Sequence, residues 1–353
     1  MNRTPHSLDA ARRQWLADLE TAYRRAPTAD TALGFARGCW MCGEYDAAIE
    51  AFRDAAQRAP ERAEYQLALV RSASMLGMRE VEDAALRAAR ERHPQSVELV
   101  LHAALRKFSD DVPGAAALLA PFAQHPMAGL FHRALTVLSE GDGPTALTNA
   151  MPQIAACWDS FRWMHRHAAP QAFAGLPVDV LMRALSAARI DGLTLECGVY
   201  FGRSLRLIAA QTATQVHGFD SFEGLPEAWN VNEPAGAYST GGRLPSGLPA
   251  NVVLHPGWFE NTLPGFFAAT PGDIRLLHID CDLYSSTKTV LQCANARLVP
   301  GSVLLFDDFL GYPGYEQHEL RAFEEFVSEE KIGWEVVAGC LLGREVAIRI
   351  TSR

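Results

Sequence analysis

The chain has 353 residues, 48% hydrophobic and 21% charged, which is long enough for two domains with substantial cores and unlike a disordered sequence. Its formal net charge of −9 argues against nucleic acid as the main partner, because phosphate backbones need a basic face. No apolar run reaches the roughly 18 residues of a membrane span. The charged start MNRTPHSLDAARRQWLADL lacks the apolar core of a secretory signal, so a cytoplasmic protein is expected.

In chain order, the first 150 residues read as a helical repeat. CGEYDAAIEAFRDAAQRAP (Cys42 to Pro60) and LGMREVEDAALRAARERHP (Leu76 to Pro94) are alike; Gly43 and Gly77 stand 34 residues apart, as do Pro60 and Pro94. Ala47, Ala48, Ala51, Phe52 and Ala55 recur at threes and fours, the period of one helix face. Glycine allows the tight turn between paired helices, and proline stops the second of them. Cys39 and Cys42 form a CxxC inside this pattern with no second Cys/His pair at zinc spacing, so buried thiols are expected rather than a metal or redox site. Trp40, Gly43, Tyr45, Ala51, Phe52, Ala55 and Pro60 make the stretch resemble a tetratricopeptide repeat, over about residues 8–126, with further helix to 165. Such an array offers a groove for a peptide partner. It serves equally as a scaffold packed on the rest of the chain, or as a contact between copies in a homo-oligomer.

From Pro177 strand and helix alternate. LTLEC, VHGFD, VVLH, RLLHID and SVLLFDD read as strands, with helices between most of them. WEVVAGC and EVAIRIT close the chain, and the LLGR between them is too short for a crossover, so they form an antiparallel hairpin. Five alternating units closed by a hairpin match a class I methyltransferase, a Rossmann-like seven-stranded sheet with an antiparallel last strand. Ligands of such sheets bind beyond the carboxyl ends of the strands. There, ECGVYFGRS supplies Glu196, then Gly198 and Gly202 for a tight turn opening a helix, with Ser204 in its first turn. Asp220 ends the second strand, where a carboxylate can accept both ribose hydroxyls of an adenosyl ligand.

Two further apolar strands end in acids: RLLHIDCD in Asp280 and Asp282, and SVLLFDD in Asp307 and Asp308. Asp280 and Asp282 share a side if the strand continues, because side chains alternate with period two. Carboxylates gathered this closely repel unless a cation holds them, and an all-oxygen set suits a hard ion such as Mg²⁺ rather than zinc. His278 has the parity to face the cluster, although a histidine within a strand is more often a satisfied core residue.

GFDSFEGLP (Gly218 to Pro226), GWFENTLP (Gly257 to Pro264), HIDCDLYSST and FDDF…YPGYEQ…AFEEF resemble the macrocin O-methyltransferase family over about residues 175–350. That resemblance implies a Mg²⁺-dependent enzyme methylating sugar hydroxyls with S-adenosylmethionine. By it, Asp280, Asp307 and Asp308 are the metal ligands and Asp282 the general base. Glu196, Gly198, Tyr200, Gly202, Ser204, Asp220, Ser221 and Asp280 fall where the cofactor is held, with Phe222 and Trp258 near its adenine. The Gly- and Pro-rich loop Asn230 to Asn251 is a lid or a passive insertion.

The expected organisation is therefore a tetratricopeptide-like helical domain over 1–165 and a methyltransferase domain over 166–353. The expected substrate is a small molecule with vicinal hydroxyls, and the resemblance implies a sugar. A protein-binding scaffold with a non-catalytic methyltransferase-like domain is the rival reading. A metal-dependent hydrolase on the same sheet edge is a third, and it leaves Asp220 and the glycine turn without a role.

Overall fold

The computed structural model describes residues 5–353, with side chains from Asp9 onward; residues 1–4, part of the charged N-terminal stretch, lie outside the described residues. Among the described residues no helix is long and apolar enough to cross a membrane.

Five helices open the chain: α1 (Pro5–Arg25), α2 (Ala29–Met41), α3 (Tyr45–Arg58), α4 (Ala63–Met75) and α5 (Arg79–Arg92). Their limits follow from local chemistry. Thr28 caps α2, its hydroxyl accepting the Thr31 N–H at 3.2 Å while Thr31 Oγ1 accepts the Thr28 N–H at 3.0 Å. Pro27, Pro60 and Pro94 all fall in breaks between helices. Pro126, 32 residues beyond Pro94, instead begins a helix, a position its missing N–H tolerates. Ala48, Ile49, Ala51, Phe52, Ala55 and Ala56 of α3 are buried against α2 and α4. Trp40 meets Tyr45 edge-on at 5.3 Å, so residues of the repeat signature pack on one another.

The remaining elements are α6 (Val97–Phe108), α7 (Val112–Leu119), α8 (Pro126–Glu140), α9 (Pro152–His167), β1 (Phe173–Ala174), α10 (Pro177–Ala187), β2 (Leu193–Cys197), α11 (Arg203–Ala210), β3 (Val216–Asp220), β4 (Val252–Pro256), α12 (Phe259–Ala269), β5 (Ile274–Ile279), α13 (Tyr284–Ala294), β6 (Val303–Phe306), α14 (Glu319–Glu329), β7 (Gly333–Cys340) and β8 (Val346–Ser352). The strands form one sheet in the order β1-β7-β8-β6-β5-β2-β3-β4. Only β8 runs antiparallel to its neighbours β6 and β7, so the expected hairpin is present. The sheet has eight strands rather than the expected seven. β1, a two-residue edge strand parallel to β7, is too short to carry a period in the sequence. The central strand β6 is apolar throughout, as burial on both faces requires, and every one of its residues, Val303–Phe306, is buried, whereas β2 and β5 carry Glu196 and His278 near their carboxyl ends.

The chain forms two compact units that do not follow a single boundary at residue 165. The first runs to Val100 and adds Tyr200–Leu207 and Ser221–Pro249; the second holds Leu101–Val199, Ile208–Asp220 and Ala250–Arg353. Long-range contacts decide this. Arg183 Nη2 donates to Ser109 Oγ at 3.2 Å, Gln153 Nε2 donates to the Gly311 carbonyl at 2.8 Å, and Trp163 stacks on Trp334 at 6.1 Å. These contacts tie the end of α6 to α10, and α9 to β7 and to the segment after β6.

One paired contact in the sheet yields a pH prediction. His217 Nδ1 and His255 Nε2 lie 3.1 Å apart on β3 and β4, beside Phe219 and Phe266. Burial, and for His217 also its partner, holds both imidazoles below their usual range. A folded-state pKa below the unfolded one means that the pair's stability is present above about pH 6.5 and is lost as the pH falls through the folded values. His255→Gln should remove about half of that acid-side loss, read as the wild-type-minus-variant melting temperature between pH 7.5 and pH 5. A difference that stays flat across the range would contradict this. The difference isolates the pair, because the other titrating groups, the buried carboxylates described below included, are common to both proteins and cancel.

Candidate active site

In the second unit, hydrogen bonding across β3, β2, β5 and β6 brings their carboxyl ends level. Glu196 on β2 pairs in register with Gly218 on β3 and His278 on β5, and Ile279 pairs with Phe306 on β6. Just past the strands, Asp280 N donates to Cys197 O at 2.9 Å and Asp307 N donates to Ile279 O at 3.0 Å. Three chain segments thereby lie side by side at one edge. Gly198 is what lets them approach: its φ is +93°, and a Cβ there would sit 1.7 Å from the Asp280 carbonyl oxygen.

The carboxylates meet, though not by the route read from the sequence. β5 ends at Ile279, and Asp282 adopts a left-handed φ of +60°. A turn rather than strand alternation returns Asp282 to Asp280. Two sets result, each with its ligand atoms within 4.8 Å of one another: His278, Asp280 and Asp307, and Asp280, Asp282 and Asp308. Asp280 belongs to both. Asp307 and Asp308 fall in different sets, and Asp308 Oδ1 also accepts from Arg344 Nη1 at 2.6 Å.

Four participants escaped the sequence reading or were ranked low in it. His278 is buried and bridges the cluster, with Nδ1 3.1 Å from Glu196 Oε2 and Nε2 3.7 Å from Asp307 Oδ1. Burial works against its protonation, yet Asp307 and Glu196 raise it well above the ordinary range. Glu319 on α14 is fully buried; its Oε2 accepts the Asp308 N–H at 3.1 Å, and its Oε1 is buried with no hydrogen-bond partner among the described residues. Arg344 and Glu345 come from the β7–β8 turn. Glu319 falls in the gap between YPGYEQ and AFEEF and carries no signal of its own, and nothing in LLGRE marks the turn as part of the cluster.

Crowding leaves its mark on the acids. Asp280 is raised well above the carboxylate range by burial and then by Asp307. Asp308 is pushed up to about 6 by burial and Asp307, against the pull of Arg344. Glu345 rises to about 7 through burial and Asp307, and Glu319 well above its range through burial and Asp308. A cluster of oxygen donors that resists ionising without a counter-charge, and that includes a buried oxygen lacking a partner, fits a hard divalent cation.

The remaining candidates separate by unit. In the second, Asp220 Oδ2 accepts the Val199 N–H at 2.8 Å, tying the end of β3 to the turn after β2, and Trp258 caps α12. In the first, Ser204 is buried in the opening turn of α11, and Gly202, just before it, has a φ of +73°. Ser221 Oγ accepts the Glu223 N–H at 3.1 Å. Tyr200 and Phe222 are both left-handed, and burial pushes the Tyr200 phenol up.

Residues 195–309 match a family described as a methyltransferase domain. The chain is 33% identical over 143 residues to the 8-demethyl-8-(2,3-dimethoxy-alpha-L-rhamnosyl)-tetracenomycin-C 4'-O-methyltransferase of Streptomyces olivaceus; the match takes in 34% of this chain and 54% of that one. The chain thus spans about half the length of the curated relative it matches. Among solved structures, the calicheamicin methyltransferase CalS11 aligns at 21% identity and a TM-score of 0.41, over 63% of this chain and 91% of that one. The O-methyltransferase NovP aligns at 18% identity and a TM-score of 0.40, over 65% of this chain and all (100%) of that one.

Proposed function

We propose that this chain is a class I O-methyltransferase that moves the methyl group of S-adenosylmethionine to a hydroxyl of a sugar or glycosylated small molecule, with Mg²⁺ as a second cofactor and the tetratricopeptide-like helices as an integral part. The carboxylate edge around Asp280 carries the proposal. The methyltransferase-domain match spans Leu195 to Phe309, and so takes in every one of the strand-end acids from Glu196 to Asp308. The rhamnosyl 4'-O-methyltransferase relative supports a sugar acceptor.

In this reading Asp280, which is shared by the two ligand sets, would hold the cation, with Asp307 from one set and Asp308 from the other drawn toward it, and His278, linking Glu196 to Asp307, would fix the direction in which Asp307 points. When bound, Mg²⁺ supplies Lewis acidity toward the acceptor hydroxyl. Asp282 takes the proton of that hydroxyl as its oxygen bonds to the methyl carbon, and the methyl–sulfur bond breaks to leave S-adenosylhomocysteine. Asp220 receives polar groups of the cofactor, while the cofactor roles of Glu196, which is buried against His278, and of Gly198 rest on the sequence resemblance. By the sequence resemblance, Trp258 stands near the adenine. The roles of Tyr200, Gly202, Ser204, Ser221 and Phe222 in cofactor binding rest on the sequence resemblance.

The test is calorimetric titration of S-adenosylmethionine into chelator-stripped protein. Saturable one-to-one binding is the expected result and opens an acceptor screen with Mg²⁺ present. Absence of binding to protein shown to be folded would favour the scaffold reading.

A further inference from the structure

The first unit contains more than the N-terminal helices: Tyr200–Leu207 and Ser221–Pro249 fold with them. Two arginines account for much of this union. Arg12 on α1 donates from Nη2 to the Ser239 carbonyl at 2.9 Å, and its guanidinium stands over the Phe201 ring, 5.3 Å from the centroid. Arg243 lies over the same ring at 4.9 Å. It donates to the Cys42 carbonyl at 2.5 Å and pairs with Asp9 at 3.4 Å and Glu44 at 3.5 Å. Phe201 is buried, and Gly43 accommodates it: a Cβ on Gly43 would fall 2.6 Å from Phe201 Cβ. Arg206, from the same stretch of chain, stands over Tyr45 at 5.8 Å and donates to the carbonyls of Ser246 and Gly247.

The held loop in turn holds Phe222. The Thr240 and Gly242 N–H groups donate to the Phe222 carbonyl at 3.3 and 3.1 Å, and Ser239 Oγ and Thr240 Oγ1 add bonds to it at 3.4 and 3.3 Å. Tyr200, Phe222 and Tyr238 all adopt left-handed φ values, of 51°, 59° and 60°. Side chains keep such conformations only where their surroundings over-determine them. For Phe222 the nearest of these surroundings is the 239–242 segment, which is itself tied to α1 at the Ser239 carbonyl by Arg12 and to the α2–α3 turn by Arg243.

We propose that Arg12 and Arg243 are positioning residues through which the N-terminal helices hold the 221–249 segment, and with it Phe222, in the form that captures the cofactor. The repeat then works in cis on methyl transfer. The cofactor half of this proposal rests on the methyltransferase reading; the loop-holding half does not. A guanidinium suits the task because its plane stacks on an aromatic ring while its fork reaches a carbonyl and two carboxylates, which an ammonium cannot do together.

The test uses the full chain with Arg12→Ala, Arg243→Ala and Arg243→Lys. Hydrogen exchange at the Thr240 and Gly242 amides should accelerate about tenfold in the alanine variants and less in the lysine variant, which keeps the charge but not the stack. Exchange at the Asp280 and Asp307 amides should stay unchanged, which also shows that the variants are folded. The KM for S-adenosylmethionine should rise about tenfold, with kcat at saturation within about twofold of wild type. Unchanged loop exchange in folded alanine variants would overturn the proposal. Faster loop exchange with an unaltered KM would overturn its cofactor half. A wild-type protein that binds no cofactor sinks the methyltransferase reading, while the exchange data still decide whether the arginines hold the loop.

Discussion

Asp280→Asn should lower methyl transfer about a thousandfold on any acceptor that the wild type methylates, corresponding to about 4 kcal/mol of lost Lewis-acid stabilisation. Asp280 is the residue for this test because it alone belongs to both sets of ligand atoms. Activity is not the sole readout. Mg²⁺ should raise the melting temperature of the wild type and leave the variant unmoved. Without the cation the variant should be at least as stable as the wild type, and its advantage should grow with pH. The sign follows from the raised carboxyl: a folded pKa above the unfolded one gives stability that is present at low pH and lost as the pH climbs, and asparagine does not titrate. A variant that keeps full, metal-dependent turnover would falsify the cation assignment.

Gly198→Ala should be the most damaging single methyl in the second unit. The new Cβ meets the Asp280 carbonyl oxygen at 1.7 Å, and neither backbone can withdraw, because Asp280 N is bonded to Cys197 O and Gly198 N to Phe219 O. Overpacking and left-handed strain together cost about 3–5 kcal/mol. The control is Gly314→Ala. Gly314 has a nearly equal φ of +90°, but nothing lies within 4 Å of its added Cβ, so it carries the strain without the collision, about 1 kcal/mol. The measurement is the loss in melting temperature of each variant. Equal losses would mean that the close approach of the two strand ends is unimportant.

The two variants sample what was and was not legible in the sequence. Strand and helix alternation, the final hairpin and the acids at the strand ends could be read from local pattern, because each is set by residues within one element or the next. The rest depends on chain segments meeting. Asp282 was assigned to the correct neighbourhood for the wrong reason: parity places it beside Asp280 only if the strand continues, and a left-handed residue performs the return instead. Glu319, Arg344 and Glu345 join the cluster from a helix and a hairpin turn with no periodic signature. His278 looked like a core histidine by type; only the register with β2 reveals Glu196 beside it. The repeat in the N-terminal helices was visible in its spacing, but its bonds to Phe201, Ser239 and Arg243 join residues about 150 to 230 positions apart, beyond any window of local pattern.

The interleaved composition of the first unit has a consequence for the order in which the protein is made. Helices α1–α5 leave the ribosome early, yet the unit is complete only when Pro249 has emerged. At a synthesis rate of roughly 5–20 residues per second, that interval lasts roughly ten seconds or more. During it Asp9, Glu44 and the Cys42 carbonyl await Arg243, and the Gly43 turn awaits Phe201. A nascent chain halted between the helices and the loop would carry an unfinished surface, open to chaperones or to the same surface on a neighbouring polysome. For the same reason the helices are not a cassette: cutting at residue 165 and grafting another domain behind them would leave Asp9, Glu44 and the Cys42 carbonyl without Arg243, and Arg12 without the Ser239 carbonyl.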